Sequence, residues 1–305
     1  MLRKRKVFEL VNRPHDRKVI KNRWVFNVKS NGRKKAHLVA KGFSQVEGLD
    51  FDQVFSPVVQ FKTVRLMLTL AALEDWYITS LNVRSTYLYG KLDEEIYMEQ
   101  PEGFAAPRSV LRLWRALYGL KQAGLVWWRT LDESLQELGF ERLKSEAGIF
   151  FYKKKGINII IVIIYVDDTL FCGPNKAVVD SIKAQFMRKW ECRDLGEPKE
   201  FLQMCITHKG HAIHLDQCTY LQKVVERCGM LNTKAASTPL PAGYYALVNK
   251  DSVNPELCSR FQTVIGSLLY LMLGTRPNIA FAVTHLSRHS ANPSQDHLNK
   301  ALYIC

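Results

Sequence analysis

Tyr165-Val166-Asp167-Asp168 follows the run Ile157-Asn158-Ile159-Ile160-Ile161-Val162-Ile163-Ile164 and precedes Thr169-Leu170-Phe171-Cys172. The first run is too β-branched and too short to be anything but a buried strand. The second reads as another strand, so two adjacent carboxylates sit at the tip of a hairpin whose first arm is core. Charge packed against so apolar a strand is costly unless a cation or a hydrogen-bond network offsets it. Paired aspartates in that place form a candidate site for divalent metal ions. The competing reading is an ordinary acidic turn, since Asp is a common turn residue.

The chain has 305 residues and 47% apolar content, enough for a sizeable core divided among two or three subdomains. No run approaches the ~20 apolar residues that a bilayer crossing needs, and no apolar segment follows the basic N-terminus as a secretory signal would require. Seven cysteines without a C-x-x-C spacing read as reduced thiols. An intracellular location, cytoplasmic or nuclear, is therefore expected.

Of the net charge of +14, residues 1–41 carry +12: fourteen Lys and Arg stand against Glu9 and Asp16. So concentrated an excess is the footprint of a phosphate-binding surface. A solvated tail would account for Arg3-Lys4-Arg5-Lys6. It does not account for residues 17–41, where Val19, Ile20, Trp24, Val25, Phe26, Val28, Leu38 and Val39 interleave with the charges. That alternation predicts an antiparallel hairpin turning at Ser30-Asn31-Gly32.

Further along, helical spacing covers residues 61–75, followed by strands at 76–83 and 94–98. Residues 111–120 and 126–138 read as helices, the second closed by Gly139. A hairpin joins residues 149–152 to 157–166 through Lys155-Gly156, and an amphipathic helix covers 178–190. Helical stretches at 220–228, 255–273 and 277–290 form a separate helical subdomain, with a boundary between residues 205 and 216.

Several ordered stretches carry a resemblance. They include Lys35-Ala36-His37-Leu38-Val39-Ala40-Lys41-Gly42-Phe43, Phe55-Ser56-Pro57-Val58-Val59 and Glu94-Glu95-Ile96-Tyr97-Met98-Glu99-Gln100-Pro101-Glu102-Gly103-Phe104. Leu117-Tyr118-Gly119-Leu120-Lys121-Gln122, Tyr165-Val166-Asp167-Asp168, Asp194-Leu195-Gly196-Glu197, Gly266-Ser267-Leu268-Leu269-Tyr270-Leu271 and Thr275-Arg276-Pro277 continue the series. Together they resemble the reverse transcriptase of copia-type LTR retrotransposons, over practically the whole chain.

The resemblance implies an α+β, right-hand polymerase fold. Residues 1–75 would be a basic, β-rich fingers segment and 76–215 the palm, with part of the fingers near 100–125. Residues 216–290 would be a helical thumb, and 291–305 the start of a connection cut short. The implied reaction is RNA-directed DNA synthesis, with RNA template, DNA primer and deoxynucleoside triphosphates as partners. The primer 3′ hydroxyl attacks the α-phosphorus, assisted by two Mg²⁺ (or Mn²⁺) ions about 4 Å apart. Asp167, Asp168 and the backbone carbonyl of Val83 would hold them. Tyr87, Gln122, Lys29, His37 and Lys41 would contact the nucleotide, although Tyr87 reads equally well as a core tyrosine. No RNase H, integrase or protease pattern is present, so the chain is expected to be a piece of a larger polyprotein.

Three departures from the family pattern point one way. The strand ending at residue 83 reads Asn82-Val83 where the family has Asp-Val. An amide offers one neutral oxygen where a carboxylate offers two charged ones, and hard cations prefer the latter. A loss of about 4 kcal/mol of transition-state stabilisation would slow the reaction roughly a thousandfold. His37 replaces an Arg and lacks its bidentate fork. Ala123-Gly124-Leu125 replaces a Ser-Pro-Arg type and loses another cation. The expectation is an impaired polymerase; the alternative is an inert, basic nucleic-acid-binding remnant.

Cys205, His208, His211, His214 and Cys218 have spacings that could suggest zinc. Lys209-Gly210 reads instead as a hairpin turn, which puts the histidines on polar positions of two strands.

Overall fold

The computed structural model of the chain describes residues 1–28, 32–104, 108–154 and 157–305, without the side chains of 154, 157 and 158. Lys29, the Ser30-Asn31 part of the first hairpin turn and the Lys155-Gly156 turn lie outside the described residues.

Alternating apolar and charged residues near the N-terminus form short strands: β1 (Phe8–Asn12), β2 (Val19–Ile20), β3 (Asn22–Val28) and β4 (Lys34–Ala40). β3 and β4 pair antiparallel from Asn22 opposite Ala40 to Val28 opposite Lys34, the two arms expected of a hairpin. Its base is buried at Leu38 and Ala40, whereas Val25, Phe26 and Val28 are exposed. The alternation there does not mark a core face. Nor is Arg5 part of a solvated tail: its guanidinium lies 3.8 Å over the Tyr89 ring and pairs with Glu191 at 3.0 Å.

α1 (Phe61–Leu73) buries Val64, Leu68 and Ala71 at helical spacing, and β5 (Tyr77–Val83) and β6 (Lys91–Met98) follow it. Residues 111–120, expected as a helix, begin instead inside β7 (Ser109–Arg115). Leu113 lies opposite Phe8 on one side and Ile96 on the other, and Leu111 opposite Leu10 and Met98. Ladders on both edges outweigh an apolar spacing that would also suit a helix. α2 (Ala123–Glu137) starts ahead of the expected Val126, and Gly139 at φ +87° closes it.

β8 (Glu141–Arg142), β9 (Ile149–Lys154), β10 (Ile157–Tyr165) and β11 (Asp168–Gly173) precede α3 (Lys176–Lys189) and β12 (Cys192–Gly196). Among the described residues one sheet has the order β12-β5-β11-β10-β9-β8. Its core gathers Leu81, Val83, Trp127, Val162, Phe171 and Phe186. Ile163 and Ile164 of β10 are buried as well, so the strand is covered on both faces, which is why it reads as an unbroken aliphatic run.

The rest comprises β13 (Glu200–Phe201), β14 (Met204–Lys209), β15 (Ala212–Asp216), α4 (Cys218–Cys228), α5 (Pro255–Gly274), α6 (Ala280–Ser287) and α7 (Gln295–Ile304). The 277–290 helix is shorter than expected and opens with a 3-10 turn at Pro277–Ile279. β14 and β15 form the expected hairpin, with Gly210 at φ +59° in its turn. α5 corrects one expectation, because by length and composition it could cross a membrane. Here it buries Phe261, Val264, Leu268 and Leu271 against α6 and α7, as a core helix.

The chain divides into two compact units: Met1–Val59 with Trp76–Glu197, and Gln60–Asp75 with Pro198–Cys305. The division falls earlier than the expected 205–216, and the 61–75 helix belongs to the second unit. There Phe61 packs edge-on against Tyr270 at 5.3 Å, and the Arg65 guanidinium donates to the carbonyls of Leu273 and Gly274 that end α5.

Candidate active site

β10 and β11 pair with Tyr165 opposite Asp168, so their turn is only Val166-Asp167. Val166 has φ +57°, a conformation that a β-branched side chain rarely adopts. Two hydrogen bonds hold it. The buried Trp127 donates its indole N–H to the Val166 carbonyl at 2.7 Å, and the Val83 N–H donates to the Asp167 carbonyl at 2.8 Å. One bond comes from α2 and the other from β5, so three elements converge on the tip.

β5 lies beside β11 with Asn82 directly opposite Asp168. The Asn82 amide nitrogen donates to Asp167 Oδ2 at 2.9 Å and to Asp168 Oδ1 at 2.8 Å. All three side chains are half-buried. An amide NH₂ has two donors and no formal charge, so here it joins the two carboxylates as an electrically neutral clip. Such charge-assisted bonds are the stronger kind.

This donor set does not fit a two-ion centre. The N–H groups already occupy one oxygen of each aspartate, on the side from which the third strand would offer an anionic ligand. The Val83 carbonyl, expected to face an ion, accepts the Thr86 hydroxyl at 3.1 Å. Among the described residues no group of three or more His, Cys, Asp or Glu is arranged to hold a metal ion, Cys205 to Cys218 included.

Beside the carboxylates the structure brings together Tyr87, Tyr118 and His37. Tyr118 meets Tyr87 edge-on at 4.6 Å and His37 at 5.4 Å. Burial, then the Asp167 charge, raises the Tyr87 hydroxyl above its ordinary pKa. The same two causes push Tyr118 up to about 12. Both phenols therefore keep their protons at neutral pH. Tyr118 lies within the stretch Leu117–Gln122, and only the fold reveals its place beside Tyr87.

His37 reaches this cluster because the base of β4 is clamped to the 117–120 turn. The Ala40 N–H donates to the Tyr118 carbonyl at 2.7 Å. Gly119 has φ +92°, and a Cβ there would collide with the Ala40 carbonyl oxygen; one on Gly42 would collide with the Gly119 carbonyl oxygen. Lys41, half-buried beside this clamp, has its N–H bonded to the Lys21 carbonyl at 2.7 Å.

Gln122, expected to contact the nucleotide, is turned inward in this structure. Its amide is only 1% exposed, donates to the Asp50 carbonyl at 2.7 Å and accepts from Gln45 at 3.1 Å. It anchors the loop of residues 45–50. The Ala123 and Leu125 side chains that depart from the family pattern are buried in the core.

An antiparallel hairpin with a carboxylate tip, set in an α+β sheet beside a basic β-hairpin, defines the polymerase class of fold. The family model described as reverse transcriptase (RNA-dependent DNA polymerase) matches residues 5–242, and the chain belongs to that family, in its copia-type retrotransposon branch. It is 36% identical to the "Retrovirus-related Pol polyprotein from transposon TNT 1-94" of Nicotiana tabacum, over 99% of this chain and 24% of that protein. It is 33% identical to the "Retrovirus-related Pol polyprotein from transposon RE1" of Arabidopsis thaliana, over 90% of this chain and 19% of the other. The chain thus spans about a quarter or less of the length of these two relatives. Among solved structures, a foamy viral protease-reverse transcriptase in complex with double-stranded DNA aligns with 99% of this chain and 45% of its own, at 10% identity and a TM-score of 0.48.

Proposed function

We propose that this chain is the polymerase segment of a retrotransposon Pol polyprotein, descended from an RNA-directed DNA polymerase and impaired in catalysis as it stands. RNA template, DNA primer and deoxynucleoside triphosphates are its partners, and the first unit supplies fingers and palm. The observation that carries the reading is the Asn82 amide donating to both Asp167 and Asp168. The family works with divalent metal ions, Mg²⁺ or Mn²⁺, whose ligands are anionic oxygens. Here the third position presents donors, so the pair is satisfied by the protein itself. What remains is a basic surface with the exposed cations Lys18, Lys21, Arg23, Lys34 and Lys35, suited to phosphate contacts.

Primer extension on an RNA template tests this, comparing the chain with Asn82→Asp. The expected result is extension roughly a thousandfold faster in the variant, corresponding to about 4 kcal/mol. Equal rates would refute the impairment. Inactivity of both, with salt-dependent binding to the primer–template intact, would favour the second reading of an inert nucleic-acid-binding remnant.

A further inference from the structure

In the second unit, α4 and α7 bring two cysteines together. Cys228 ends α4 and Cys305 follows α7; their Sγ atoms lie 3.6 Å apart, although 77 positions separate them in sequence. Both belong to one apolar cluster with Val224, Leu298 and Ala301. Cys228 is 9% exposed and Cys305 is half-buried. A disulfide needs an S–S separation of roughly 2.0 Å, a gap that rotation of the two side chains would have to close. We infer that Cys228 and Cys305 form an oxidative modification site whose co-reactant is a small-molecule disulfide.

The chemistry balances without any other reagent. Cys305, the more accessible thiol, gives up its proton, and its thiolate attacks one sulfur of the reagent. The reagent's S–S bond breaks, and the departing sulfur leaves as a thiolate that takes up a proton. Cys228 then loses its proton and attacks the Cys305 sulfur of the mixed disulfide, expelling the second small thiol. Two protein thiols become one S–S bond, and one reagent disulfide is reduced to two thiols. Burial and the adjacent Cys228 sulfur push the Cys305 thiol up to about 12. The thiolate is therefore scarce at neutral pH, and the reaction accelerates as pH rises. This site involves no residue of the carboxylate hairpin.

The test is incubation of the chain with oxidised glutathione at alkaline pH, followed by alkylation, intact mass measurement and non-reducing peptide mapping. The exposed Cys218 serves as an internal indicator that the reagent is active. The expected product is a peptide pair linked through Cys228 and Cys305 and released by reductant. Cys228→Ser should stop at a glutathione adduct on Cys305, and Cys305→Ser should leave Cys228 unmodified. Recovery of both thiols in alkylated form while Cys218 has reacted would overturn the proposal. So would a Cys305 linked to any other cysteine or to a second copy of the chain.

Discussion

Asparagine and aspartate are nearly the same shape, so position 82 changes charge and donor pattern while leaving the strand geometry alone. In this chain the amide donates to both Asp167 and Asp168. Asn82→Asp would place three carboxylates together and lose two charge-assisted hydrogen bonds. Discounted for partial exposure, the cost is about 2 kcal/mol in the absence of divalent metal. Urea titration in EDTA should show that loss, and Mg²⁺ should recover it in the variant while leaving the parent chain unchanged. A parent chain stabilised as strongly by Mg²⁺ would contradict the clip. Much of this site was legible from residue types alone, because Asp167, Asp168 and Asn82 fall in recognisable strand contexts. The direction of the amide and the place of Tyr118 were not legible, since both depend on β5 and the 117–120 turn arriving beside the hairpin from distant parts of the chain.

Elements fared unevenly for a related reason. β10 announced itself because a strand covered on both faces needs no polar positions. β7 did not, because Val110, Leu111 and Leu113 fit a helix as readily as a strand until β1 and β6 flank them. Turns carry a sharper signal where glycine is obligatory. Gly119 combines φ +92° with a backbone oxygen in the space a Cβ would need. Gly119→Ala should therefore cost more than about 3 kcal/mol, or abolish soluble expression. Gly210→Ala, at φ +59° with nothing nearby, should cost only about 1 kcal/mol. Denaturant midpoints of the two variants check the contrast; equal losses would show that the clamp between β4 and the 117–120 turn is not what makes Gly119 necessary.

At the scale of the whole molecule, the two units should respond differently to pH. In the second, the rings of His289 and His297 stack at 4.1 Å, and the His297 Nδ1 accepts the Ser294 N–H that opens α7. Burial, with the neighbouring His285 and Arg288, lowers the pKa of His289; burial and His289 lower that of His297, against a smaller opposing pull from Asp296. A depressed histidine pKa means that the unfolded chain takes up protons first as pH falls. Stability is thus fully present above the unfolded value near 6.5 and declines as pH drops toward the folded values. Thermal melts from pH 7.5 to 5 should show that decline, and His289→Gln should flatten it. An unchanged slope in the variant would place the sensitivity elsewhere. The helical character of this unit was legible from periodicity. Its share of the chain was not, because the 61–75 helix joins it only through packing such as Phe61 against Tyr270.

The amide at position 82 also has a genetic consequence. Codons for asparagine and aspartate differ at a single base, and the scaffold around the clip is intact: the strained Val166 turn, the Trp127 strut and the opposing strand all remain. One transition mutation would therefore place a carboxylate at a strand position already aligned with its two partners. Under the proposed function, the change at position 82 is chemically large and evolutionarily shallow.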